Sequence, residues 1–133
     1  MTTVIDGPDG LAAAVGAHLG HSGWLAVDAD RLALFAAAVD SADAAEYLVL
    51  SLSNFFLPQI MEVRGFSAGV NYGCDAVRFP RAVVAGDRVR AGAELVEVGE
   101  VKGGYQTLVR ITIEVEGADE PACVIDSLSR WLV

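Results

Sequence analysis

Lysine occurs once in this chain of 133 residues, at Lys102, and histidine only at His18 and His21, so no imidazole follows position 21. Cysteine occurs at Cys74 and Cys123, with no CxxC pair. A structural zinc centre draws four ligands from closely spaced Cys and His, and this supply is too thin for one. Neither a metal nor another cofactor is expected. Positive charge is scarce: nine basic against eighteen acidic residues give a net charge of −9. Such a chain has no cationic footprint for nucleic acid and is repelled by anionic membrane surfaces. No apolar run reaches the roughly 20 residues of a membrane-spanning helix. The opening MTTVIDGPDGL lacks the basic-then-apolar profile of a signal peptide, so a cytoplasmic protein is expected. In that setting the two thiols are expected to serve as small buried hydrophobes.

What is present is apolar. Hydrophobic residues make up 53% and charged residues 20%, a balance that suits one globular domain over residues 1–133. No repeat or linker divides it. DGPDG followed by LAAAVGAHLG suits a short helix between Asp6 and Gly20, and SGWLAV (22–27) a short strand. Asp28 is placed to cap a helix through DADRLALFAAAV. A second helical pattern, AAEYLVLSLSNFFL (44–57), is apolar nearly all round, as in a helix buried inside a domain, and Pro58 is expected to end it. Only the acidic joint DSAD separates the two patterns.

After Met61 the texture changes to strands, expected over residues 70–79, 88–101, 105–116 and 121–133. Alternation is clearest where Val109, Ile111, Ile113 and Val115 interleave with Arg110, Thr112 and Glu114. The short joints GDR, KGG and EGADEP predict antiparallel pairing of consecutive strands. An apolar helix followed by an antiparallel meander predicts an α+β hot-dog fold, the sheet curling around the helix. The edge such a sheet leaves open predicts pairing with a second chain.

The stretch VNYGCDAVRFPRAVVAGDRVRA (70–91) resembles the MaoC-like hot-dog family of R-specific enoyl-CoA hydratases and 3-hydroxyacyl dehydratases. That family carries NYG-x-x-x-VRFP-x-x-V-x-x-G-x-x-VR. HSGWLAVDADRLALFA (21–36) resembles its opening strand and helix, and EVEGADEPACVIDSLSRW (114–131) its closing hairpin. The resemblance implies an acyl-thioester ligand, acyl-CoA or acyl-carrier protein, and a homodimer or a heterodimer with another MaoC-like chain. The family's chemistry resides in a segment of the form A-T-G-D-x-(N/Q)-x-(I/L)-H-x-D-P. Its Asp and His activate the water that adds across a 2-enoyl thioester, or work in reverse. An A-H-G turn then opens the central helix, whose N–H groups polarise the thioester carbonyl.

Carried over position by position, this machinery is absent. LFAAAVDSADAAEYLVLSL occupies the place of both helices and the loop between them, and the loop is missing. The family's Asp falls at Asp40 or Ser41, its His has no counterpart, and the A-H-G turn is matched by Ala44, Ala45 and Glu46. The joint resembles a deletion scar.

Two functions follow, and a third, thioesterase activity, fits the hot-dog fold in general, although the matched signature belongs to the hydratase branch. In the first, the protein binds an acyl thioester but lacks the dyad, as a non-catalytic or carrier-binding partner of an active homologue. In the second, chemistry has been rebuilt at the former site. A bulky, polyketide-like intermediate would then undergo dehydration, cyclisation or isomerisation, with Asp40, Asp43, Glu46 and Tyr47 as the catalytic candidates. Their crowding is of the kind that shifts a carboxyl pKa, yet each also has an ordinary role. Asp40 suits a helix end, Asp43 a cap, Glu46 a helix start and Tyr47 a core aromatic. Ala45, Asn71, Tyr72 and Arg78 are the candidate substrate contacts, with Arg78 suited to phosphate. Arg78, Arg81, Arg88 and Arg90 form the chain's one basic cluster in sequence.

Overall fold

The computed structural model describes all 133 residues. In chain order the elements are β1 (Thr3–Asp6), α1 (Gly7–Ala14), β2 (His18–His21), β3 (Leu25–Val27), α2 (Ala29–Val39), α3 (Ala45–Ser51) and α4 (Ser53–Ile60). They continue with β4 (Met61–Arg64), β5 (Ala68–Arg78), β6 (Asp87–Val101), β7 (Gly104–Val115) and β8 (Cys123–Leu132).

The alternation along β7 organises the sheet. Thr107, Val109, Ile111, Ile113 and Val115 are buried on one face, while Arg110 is exposed on the other. Antiparallel neighbours repeat the pattern, with Val89, Ala91, Ala93 and Leu95 inward on β6 and Cys123 and Ile125 inward on β8. Strands β6 and β7 turn back through Lys102 and Gly103, a two-residue turn whose positive φ of 86° suits glycine. The α3–α4 pair lies on the inner face, burying Leu48, Val49, Leu52, Phe56 and Ile60 in one continuous core. This is the α+β hot-dog arrangement expected from the sequence. Asp28 caps α2 as expected, its carboxylate accepting from Arg31 N–H at 2.8 Å.

Several expectations are corrected. Strand β5 does not pair with its successor. The chain leaves it through residues 79–86, and β5 pairs with β8 instead, giving the order β2-β6-β7-β8-β5 with β3 also on β6. Pro58 does not end the helix but lies inside α4, whose short last turn carries on to Ile60. The irregularity comes earlier, at Leu52, where ψ is −15° and Phe55 and Phe56 both donate to the Leu52 carbonyl. The helix is not buried all round, since Tyr47, Ser51, Asn54, Phe55 and Pro58 are exposed. The first helix stops at Ala14, and residues 18–21 form a strand. A short parallel ladder, β1 with β4, had no signal in the sequence. No helix is long and apolar enough to cross a membrane.

Phe56 is fully buried and Phe55 is 55% exposed, so the neighbours separate packing from surface effects. Phe56→Ala is expected to lose about 3–5 kcal/mol of unfolding free energy in a urea titration, and Phe55→Ala less than about 1 kcal/mol.

Candidate functional site

Between α4 and the inner face of β5, β7 and β8 lies a cavity of about 610 Å³, open to solvent and within the usual range for ligand sites. Leu57, Met61, Val109, Ile111 and Ile125 give it an apolar wall. Trp131 closes another side. Its indole passes directly over Gly69, where a Cβ would lie 2.4 Å from the ring, and its Nε1–H donates to the buried Thr107 hydroxyl at 3.1 Å. The remaining wall is polar, formed by Ser53, Asn54, Asn71, Ser127 and Ser129. Cys74 also lines the cavity, and partial burial raises its thiol pKa. Cys123 lies in the core, its thiol pushed up to about 11 by burial and, secondarily, by the nearby Cys74. Cys123 fits the small-hydrophobe expectation, whereas Cys74 is exposed.

The sequence-derived candidates divide between this cavity and its surroundings. Asp40 terminates α2 in the left-handed region, φ 51°, with its N–H bonded to the Ala36 carbonyl. Asp43 does not cap α3: the N-cap is Ala44, with no side-chain hydrogen bond. Asp40, Asp43 and Glu46 are all exposed. Tyr47 is not a core aromatic. It is 63% exposed, its ring edge-on to Phe79 at 6.2 Å between centroids. The cavity lining begins one turn later, at Leu50 and Ser51, so none of the four catalytic candidates lies in its wall. Ser51 instead donates back to the Tyr47 carbonyl at 2.7 Å.

Among the candidate substrate contacts, Asn71 lines the cavity. Ala45 is half-buried in the first turn of α3. Tyr72 lies outside the cavity lining, with the Arg130 guanidinium 3.7 Å above its ring. Arg78 is exposed at the end of β5 and has no acidic partner. The basic cluster seen in sequence is divided in space. Arg88 and Arg90 lie on β6, paired with Glu116 and Glu114 across the strand and stacked with Trp24.

Both histidines lie on the sheet face opposite the cavity. His18 and His21 stand 4.8 Å apart between ring centroids and share a shallow pocket with Gly92, Glu94, Arg110, Thr112 and Glu114. Gly92 leaves them room, since a Cβ there would come within 3.1 Å of both imidazoles. Those neighbours alternate with the buried residues of β6 and β7, which places the pair on the outer face. No imidazole reaches the inner side.

The chain is 36% identical to 3-hydroxyacyl-thioester dehydratase Z of Mycobacterium tuberculosis, over 92% of this chain and 93% of that protein. The alignment spans 141 positions, while 92% of 133 residues is about 122. Some 19 positions of the alignment, the difference 141 − 122, therefore have no counterpart in this chain. Among solved structures, the fold matches the MaoC-like dehydratase from Rhodospirillum rubrum with a TM-score of 0.72 at 13% identity, over 90% of this chain and 92% of that one. It also matches the ChsH1–ChsH2 complex from Mycobacterium tuberculosis with a TM-score of 0.60 at 13% identity, over 92% of this chain and 88% of that one. No protein-family model matches the chain.

The outer-face pair carries a pH signature. Burial first, then the positive charges of Arg90 and His18, hold His21 below its ordinary 6.5, with Glu114 opposing. Because the folded chain binds this proton less readily than the unfolded one, His21 costs nothing at high pH and lowers stability as pH falls through the unfolded pKa. The urea midpoint should therefore decline between about pH 7 and pH 5, less steeply in His21→Gln than in the parent chain.

Proposed function

The chain belongs to the MaoC-like hot-dog family of dehydratases, and on that premise we propose that it binds acyl thioesters without the family's Asp/His dyad and lacks standard enoyl-CoA hydratase activity. The observation that carries this is the side on which the imidazoles lie. An open cavity of about 610 Å³ sits on the inner face of the sheet, and both histidines stand on the outer face. Adding water to an enoyl thioester requires a base for the water and a proton for the α-carbon, positioned on the reacting atoms. The cavity wall contains no histidine and no carboxylate. The short joint from Asp40 to Ala44, between α2 and α3, supports the loss of the loop that bears the dyad.

The acyl chain occupies the cavity, and Asn71 contacts it from β5. The thioester is carried by CoA or by an acyl-carrier protein. Four arginines are engaged by acidic partners: Arg64, Arg88, Arg90 and Arg110. Arg78 is free of one and is the candidate contact for a phosphate. The protein works in the cytoplasm and pairs with itself or with another MaoC-like chain. Strand β5 supports this, being a free edge exposed along most of its length, with Val70 and Tyr72 on it and Tyr47 and Phe55 exposed on the helix. The shared architecture with a two-component complex supports a heteromer in particular. The alternative, an enzyme rebuilt on Asp40, Asp43, Glu46 and Tyr47, needs one of these groups at the thioester, and all four lie outside the cavity wall.

Crotonyl-CoA is expected to show no hydration above buffer with the isolated chain, while a saturating longer acyl-CoA should slow iodoacetamide alkylation of Cys74 severalfold. Robust hydration that persists in the Asp40→Ala, Asp43→Ala, Glu46→Ala triple variant would overturn both proposals.

A further inference from the structure

We infer that the cavity selects acyl chains bearing oxygen functions, hydroxyl or keto groups beyond the β-carbon, over plain alkyl chains; the inference rests on the thioester assignment of that cavity. Along β8, Ile125, Ser127, Ser129 and Trp131 share one face, and all four line the cavity. The outer two are apolar and the inner two are serines. Ser129 stands opposite Asn71 on β5, and Ser127 opposite Cys74. Ser53 and Asn54 line the cavity from α4. Elsewhere, apart from Thr107, whose hydroxyl is taken by the Trp131 indole, the inner face is hydrocarbon, with Ala91, Ala93, Leu95, Val109, Ile111 and Ile113. The polar groups are therefore gathered into one band.

Within the chain these groups are almost unused. The side chains of Ser53, Asn54, Ser127 and Ser129 make no hydrogen bond to protein, and none is sealed from solvent. Asn71 accepts from Gly73 N–H through Oδ1, leaving its amide N–H groups to donate. Ser53 contrasts with Ser51, which satisfies itself on its own helix. The band thus offers hydroxyls that donate or accept and amide groups that donate, facing space that a ligand would fill.

An alkyl chain in that space would strip water from these groups and return no partner. Each group left unpaired weakens binding roughly tenfold. A hydroxyl or keto oxygen at matching depth removes that penalty, because it accepts from serine or asparagine. Apolar surface at Leu57, Met61 and Trp131 still takes the carbon skeleton.

Titration calorimetry on the full chain, with octanoyl-CoA against its 5-hydroxy, 7-hydroxy and 5-oxo analogues, tests this. At least one oxygenated thioester is expected to bind about tenfold or more tightly than octanoyl-CoA. In Ser127→Ala/Ser129→Ala that ratio should shrink to within about threefold, mainly because octanoyl-CoA binds better. Asn54→Leu, on the opposite wall, should move it the same way and guards against a fault specific to β8. Equal or tighter binding of octanoyl-CoA by the parent chain overturns the inference and leaves the thioester site standing. If none of the four binds, the thioester site itself falls, and the inference with it.

Discussion

Seating the central helix on the small-residue floor of β6 is the contact on which the site depends. Ala91 and Ala93 lie inward, both essentially inaccessible, and let α4 approach the sheet closely there. Phe56 and Ile60 fill what remains. The packing of helix α4 therefore concentrates on β6, β7, β2 and β4, and has no comparable contact with β5 or β8. A helix held down on one side of a curled sheet stands off from the other, and the cavity lies between α4 and β5, β7 and β8.

How far the sequence reveals this depends on the range of the interaction concerned. Local signals serve well: period-2 alternation placed β6, β7 and β8, the KGG joint marks a tight hairpin, and Asp28 caps as its chemistry suggests. The β5–β8 pairing escapes because it joins segments distant in the chain, with no turn to announce it. Tyr47 and Phe55 look like core residues because composition does not distinguish the side of a helix facing the sheet from the side facing away. The short β1 and β4 strands owe their pairing to tertiary context, each having only four residues.

The site was legible in part. The resemblance drew attention to the joint between α2 and α3 and named Asn71 as a candidate substrate contact, and Asn71 lines the cavity. It also drew attention to carboxylates that the fold leaves in solvent. Ser127 and Ser129 went unnoticed because serine in a strand is unremarkable taken singly. The available signal was their shared parity with Ile125 and Trp131, which puts two hydroxyls on a largely apolar face. On the outer face, the cross-strand pairs Arg88–Glu116, Arg90–Glu114 and Arg110–Asp126 follow from the register. Partly exposed pairs of this kind each contribute only about 0.2–1 kcal/mol, so they solvate that face more than they hold the sheet together.

The two indoles occupy opposite sides of the sheet. Trp24 lies beneath the Arg90 guanidinium at 4.7 Å, remote from the cavity, whereas Trp131 forms part of the cavity wall. The molecule thereby carries a built-in optical pair: one chromophore in contact with whatever enters and one internal standard. With Trp24→Phe in place, the emission of the remaining indole would come from the cavity wall alone.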